Sequence, residues 1–131
     1  MNGEINMDMP LGHCASLNRL IKEQLMYTTR ILDINEQKYF NQFIAAHPQG
    51  HFLQLWEWGM VKAGMGWESL PLVVEQDGAV KAALLILKRP LPIPGFKKSI
   101  FYAPRGPVVD LDDEELCQVL INGTRQAAKD H

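Results

Sequence analysis

Between Asn35 and Ala46 the apolar side chains fall three and four residues apart. Tyr39, Phe40, Phe43 and Ile44 share one face, and Glu36, Gln37, Asn41 and Gln42 share the other. That is the period of an amphipathic helix, and Pro48 with Gly50 ends it. Ahead of it Thr28 to Leu32 reads as a strand, with Asp33 or Asn35 placed to cap the helix. Behind it His51 to Gln54 reads as a short extended link. Trp56 to Lys62 then reads as a short helix with Trp56, Met60 and Ala63 on one side. Leu70 to Glu75 is rich in Leu and Val, as strands are, and Asp77-Gly78 is a strong hairpin signal. The return strand, Ala79 to Lys88, is apolar almost throughout, which predicts burial on both faces.

Arg89-Pro90-Leu91-Pro92-Ile93-Pro94-Gly95 reads as a stiff connector, although its spacing also resembles a proline-rich ligand. A last helix is marked by the stripe Leu116, Val119, Leu120 and Ala127, with Asp112 to Glu115 giving its first turn the negative charge that helix N-termini favour. The order is strand, helix, short helix, hairpin, strand, helix. It predicts an α/β (α+β) domain in which a mixed sheet is flanked by helices.

The stretch Ile100 to Asp110 departs from any regular period. Ile100, Phe101 and Tyr102 continue as a strand after the solvated pair Lys97-Lys98. Pro104 and Pro107 then bracket Arg105-Gly106, removing two backbone donors and fixing two φ angles, with the one residue free to take a positive φ, Gly106, between them. Val108 and Val109 resume the apolar run, and Asp110 precedes the acidic helix start. A guanidinium on a rigid turn at a strand end can present a fork of donors to an anion. It can equally be a tight structural turn whose arginine pairs with a nearby carboxylate.

Residues 1–25 differ from the rest. They hold Gly3, Pro10 and Gly12, and only Leu17 to Ile21 offers a helical stripe. Lys22-Glu23 can be encoded by a purine-rich bacterial ribosome-binding sequence just upstream of Met26. Two readings follow: residues 1–25 are a translated leader ahead of a start at Met26, or they are an ordinary N-terminal extension.

At 131 residues the chain is a single domain at most. Its net charge of −2 carries no overall footprint for nucleic acid or an anionic membrane. Cys14 and Cys117 lie far apart in no metal-type spacing, so the reducing cytosol is the fitting compartment. No run of ~18 apolar residues occurs, and the N-terminus lacks the basic and apolar regions of a signal peptide.

Two pairs of residues raise the question of chemistry. His47 and His51 are four apart, but Pro48 and Gly50 break the helix that a metal pair would need. Trp58 and Lys62, also four apart, share a helix face. An indole beside an ammonium can stack a planar group and grip an adjacent anion, as a nucleotide diphosphate requires. The competing reading is a core tryptophan covered by a snorkelling lysine. There is no phosphate-cradling GxGxxG and no serine nucleophile elbow.

Several runs together resemble the Fem-type aminoacyltransferases, the FemA, FemB and FemX enzymes that build the interpeptide bridge of peptidoglycan. These are Phe40 to Phe43, His47 to Gln54, Trp58 to Lys62, the Asp77-Gly78 hairpin and, most specific, Tyr102 to Asp110. The resemblance runs from about Met26 to the end. It implies a GNAT-like acyltransferase fold, here as the truncated first domain of a tandem pair (residues 26–131), with the second domain and any tRNA-engaging arm absent. It also implies transfer of an amino acid, glycine foremost, from aminoacyl-tRNA to the stem-peptide lysine of lipid II or its UDP-linked precursor. Contact with the membrane is then peripheral, through lipid II, and the missing domain or a second copy is a further partner.

Carried over by position, Lys62 matches the residue that holds the precursor's phosphates, with Trp58 beside it. Arg105 sits where the family has arginine or lysine before Gly-Pro, either as a precursor contact or to stabilise the loop. Tyr102 falls in the same stretch as a further candidate precursor contact, and Gln54 and Asp110 match motif positions without an assigned role. No catalytic base is identified, because the family's carboxylate near the accepting amine lies beyond His131. The GNAT coenzyme A loop, Gln/Arg-x-x-Gly-x-Gly/Ala, is absent, so no cofactor is expected and aminoacyl-tRNA is the donor. The fragment itself is expected to be inactive. The alternative is a non-catalytic module that binds the precursor or a partner domain, or a fragment whose exposed sheet edge needs its missing half.

Overall fold

The computed structural model describes residues 27–131. The readings made for residues 1–25, including the leader, the short helical stripe and Cys14, lie outside the described residues. So does Met26 itself.

Four strands form one sheet in the order β1-β2-β3-β4: β1 is Thr28–Ile31, β2 Glu68–Gln76, β3 Ala79–Pro90 and β4 Ser99–Tyr102. Helices α1 (Gln37–Ala46) and α2 (Trp56–Ala63) lie between β1 and β2, and α3 (Glu114–Asp130) follows β4. All three strand pairs are antiparallel. The mixed sheet expected from the element order is therefore corrected to an antiparallel one among the described residues. The connection from β1 to β2 explains this: it contains two helices, so the chain returns to the end of the sheet it left. A single crossover helix would have delivered it to the opposite end and a parallel pairing.

The sheet is covered on both faces, and the side-chain period of two divides its residues between them. Leu70, Leu72 and Val74 of β2 with Ala82, Leu84 and Ile86 of β3 pack under α3, against Leu116, Val119, Leu120 and Ala127. Val73, Ala83 and Leu85 point the other way, against Phe40 and Ile44 of α1 and Trp56 of α2. The unbroken apolar run of β3 is thus a strand buried on both faces, as its composition implied. Pro71 is tolerated inside β2 because it sits where β1 ends. It needs no N–H there, and its carbonyl accepts from the Leu32 amide at 2.9 Å.

Local signals explain most boundaries. Asp33 caps a 3-10 turn, Ile34–Glu36, that leads into α1, and the Glu36 carboxylate accepts from the Asp33 amide to complete a capping box. Asp113 caps α3 through the Leu116 amide. Asp77 (φ 52°) and Gly78 (φ 78°) both adopt the positive φ of a two-residue hairpin turn. Two expectations fail. Phe52–Gln54 is a 3-10 turn rather than an extended link, capped by the His51 ring, which accepts from the Leu53 amide. Met60 and Ala63 are exposed, and α2 instead turns Trp56 and Gly59 inward. A Cβ on Gly59 would lie 2.4 Å from the Ser69 hydroxyl, so the missing side chain lets the helix approach β2 closely.

One polar network ties β1, α1 and β2 together. The Arg30 guanidinium donates to Glu75 (2.6 Å) and Glu36 (2.6 Å), and the Tyr39 hydroxyl donates to Glu75 at 2.7 Å. Arg30 holds the Glu75 carboxyl below its ordinary 4.5. Burial, then the bond to Glu75, pushes the Tyr39 phenol from 10.0 up to about 12. A depressed carboxyl stabilises the fold above 4.5, and that stability is lost as pH falls below it. A raised phenol stabilises below 10.0, and its contribution is lost as pH rises toward 12. Urea unfolding should therefore show a plateau between these limits with loss on both sides. Tyr39→Phe should lower the plateau by roughly 0.5–1.5 kcal/mol and flatten the alkaline limb while keeping the acid one. An unchanged alkaline limb in the variant would remove Tyr39 from the account.

Candidate functional site

The site is built on the outer edge of β3, where three alternate residues are met in three ways. Leu87 is in register with Tyr102 of β4. Ala83 exchanges both backbone bonds with Val108, each at 2.9 Å. Between them the chain from Ala103 to Pro107 swings away from the sheet, and Leu85 is met by the side chain of Gln54. Its Oε1 accepts from the Leu85 amide at 2.7 Å, and its Nε2 donates to the Leu85 carbonyl at 3.4 Å and to the Pro104 carbonyl at 2.7 Å. A carboxamide carries the same donor and acceptor as a peptide unit, so Gln54 stands in for the missing strand residue. It is fully buried.

The turn so held differs from the sequence expectation at one point. Arg105, not Gly106, takes the left-handed conformation, with φ 59°. Gly106 is needed for space: a Cβ there would meet the Leu84 side chain at 2.4 Å and the Gln54 amide at 3.1 Å. Arg105 is exposed, and no carboxylate among the described residues pairs with it. The reading of Arg105 as half of a local ion pair therefore finds no support among these residues.

Trp58 and Lys62 are brought together on α2, as their spacing implied. Gly59 and Trp56 face the sheet and core, which leaves Trp58 partly buried on the flank, with the Lys62 ammonium 5.2 Å from its ring centroid. The Trp58 Nε1–H is buried and has no partner among the described residues. The chain then turns so that the Trp67 amide donates to the Lys62 carbonyl at 3.1 Å. Trp67 packs against Tyr102, with centroids 6.3 Å apart, and the Arg89 guanidinium lies 5.7 Å from the Trp67 ring. Lys62, Trp58 and Tyr102 are thus joined through Trp67, whereas Arg105 lies farther along the β3 edge on the Gln54-held turn.

Neither Trp67 nor Arg89 carries a periodic signal, and Gln54 looks like any polar residue in a linker. Their roles depend on partners 31 to 50 positions away in the case of Gln54. Elsewhere the two histidines serve local turns: the His47 and His51 rings accept from the Gln49 and Leu53 amides. Burial raises the Cys117 thiol, so it is no ready nucleophile. A groove of about 560 Å³ runs along the polar side of α1, lined by Asn35, Lys38, Gln42 and Glu57 among others. The Glu57 carboxyl is lowered by its own amide and by the Asn41 and Gln37 side chains, so it is a fixed anion and a poor proton acceptor. Trp58 and Lys62 are not part of that groove.

A family model described as the FemAB family matches residues 35–131. The chain belongs to the FemAB family. It is similar to the lipid II:glycine glycyltransferase of Staphylococcus haemolyticus, with 33% identity over 98 residues that make up 75% of this chain and 23% of the relative. The Staphylococcus aureus protein of the same name is 31% identical over 99 residues, again 23% of its length. In fold the chain is similar to the crystal structure of FemX, with a TM-score of 0.67 at 26% identity, over 78% of this chain and 24% of that one. The chain spans about a quarter of the length of the relatives it matches.

The stretch from Tyr102 to Asp110 is therefore a sheet-edge gap filled by a glutamine. Gln54→Leu should orphan the Leu85 amide and two carbonyls and destabilise the chain by about 3 kcal/mol or more in denaturant unfolding. A change below about 0.5 kcal/mol, the range of an ordinary surface substitution, would mean the carboxamide is dispensable.

Proposed function

We propose that this chain is part of the precursor-binding half of a GNAT-like acyltransferase domain, in a protein that adds glycine from aminoacyl-tRNA to the stem-peptide amine of a peptidoglycan precursor. The relatives named lipid II:glycine glycyltransferase support the substrate class. One observation carries the assignment of this part: the Lys62 ammonium is held over the Trp58 ring, at the partly buried flank of a short helix. The ring fixes the position of the charge without neutralising it, so its donors stay available to a diphosphate. Tyr102, reached through Trp67, extends the same surface with an aromatic face, and Arg105 offers a second cation on a turn of fixed shape.

The chemistry is aminolysis of an activated ester. The amine attacks the ester carbonyl, the tRNA hydroxyl leaves, and the amine gives up a proton. Because the ester is already reactive, positioning the amine and stabilising the oxyanion are the main contributions asked of the protein. In this reading the described residues hold the acceptor, and no group among them is assigned to remove the proton. No coenzyme A is required.

Titrating the UDP-linked muramyl pentapeptide against the chain tests the reading. The wild-type chain should bind with an affinity that falls as salt is raised, and Lys62→Ala should weaken it by about tenfold, the scale of one charge-assisted hydrogen bond. Equal affinity in both, insensitive to salt, would refute the phosphate role.

A further inference from the structure

Charge is unevenly divided along the chain. From Ala79 to Val109 there are six lysines and arginines and no carboxylate, while the remainder holds seven basic residues against fifteen acidic ones. Four of the six, Lys88, Arg89, Lys97 and Lys98, cluster around the turn between β3 and β4. Lys88 lies 3.8 Å from Glu68 and Arg89 lies over Trp67, whereas Lys97 and Lys98 are exposed.

The turn has a defined shape. The Leu91 amide donates to the Lys98 carbonyl, and the Phe96 amide to the Ile93 carbonyl at 3.1 Å. Pro94 and Gly95, the latter at φ 76°, form the corner. Ile93 and Phe96 flank that corner with 53% and 47% of their surfaces exposed. Pro90, Pro92 and Pro94 have no N–H, so this tip has few backbone donors to desolvate on leaving water.

Apolar side chains at a protruding corner, lysines directly behind them and a donor-poor backbone are the features of a segment that enters a lipid interface. We propose that the β3–β4 tip docks the protein on an anionic phospholipid surface. Ile93 and Phe96 reach the acyl boundary, and Lys97 and Lys98 meet the phosphates. β4 rises roughly 10 Å from Ser99 to Tyr102, a little more than the ~5–8 Å headgroup layer of one leaflet. Tyr102 and Trp67 then lie at its outer margin, where amphipathic aromatics are favoured. Since the chain reaches Lys62 just before Trp67, docking sets the Trp58–Lys62 pair close above the headgroups, where a lipid-linked diphosphate resides. This last consequence rests on the function proposed above, but the docking itself needs no precursor.

Cosedimentation of the 131-residue chain with precursor-free vesicles provides the test, using phosphatidylglycerol mixed with phosphatidylcholine against phosphatidylcholine alone. Binding is expected to the anionic vesicles only, and to weaken with added salt. The double variant Lys97→Gln/Lys98→Gln should bind roughly tenfold or more weakly. Ile93→Asp/Phe96→Asp should lose binding while keeping the wild-type circular dichroism and melting temperature. Ile34→Asp, at an exposed apolar residue away from the tip, should bind as wild type. Affinity for the UDP-linked pentapeptide should be unchanged in the tip variants, which separates failure of docking from failure of the phosphate site. The proposal is overturned by a lack of binding to anionic vesicles, or by equal binding of the Ile93→Asp/Phe96→Asp variant. Binding to tRNA through these same residues, with none to vesicles, would overturn it as well.

Discussion

A single buried carboxamide decides how the signature stretch is displayed. Gln54 occupies the place on the β3 edge where a strand residue would otherwise pair, satisfying both backbone groups of Leu85 and the carbonyl of Pro104. Without a partner those groups would be buried donors and acceptors in an apolar core, at a cost of about 1–3 kcal/mol each. With it, the chain can leave the sheet after Tyr102, turn through Arg105 and return at Val108 with no hydrogen bond lost at Leu85. The same residue ends the turn that begins α2, so the turn bearing Arg105 and the helix bearing Lys62 are positioned from one anchor.

The remaining architecture supports that anchor from both faces. Even-numbered residues of β2 and β3 pack under α3 and odd-numbered ones against α1 and α2, so β3 cannot shift register by one without exchanging its two cores. Two glycines set the close distances. Gly59 brings α2 down onto Ser69, and Gly106 leaves room for the Gln54 amide. With Gly59 and Trp56 turned inward, Trp58 and Lys62 are left on the flank. There the ammonium sits over the indole but remains free to meet an anion.

Features that depend on neighbours in sequence were legible in it. The Asp77-Gly78 turn, the stripe of α3, the capping aspartates and the two-faced burial of β3 all follow from local chemistry or period. The Trp58–Lys62 pair was legible for the same reason, since residues four apart on a helix meet. What failed depended on distant partners. Strand direction followed from two helices returning the chain, which element order alone does not reveal. Period puts Trp56 and Met60 on one side of α2, but the close approach of Gly59 to a strand ten residues on turns Trp56 inward and leaves Met60 exposed. The positive φ falls to Arg105, and Gly106 is needed instead for space, where a side chain would collide with Leu84 and Gln54. Gln54 itself matches a motif position by resemblance, yet its task is set by Leu85 and Pro104, far along the chain.

The Gln54 side chain completes the sheet edge. The most direct measurement is hydrogen exchange of the Leu85 amide. It should be as strongly protected as the Ala83 amide, whose partner is the Val108 carbonyl. Exchange of Leu85 at the rate of open loop amides, with Ala83 still protected, would contradict the account.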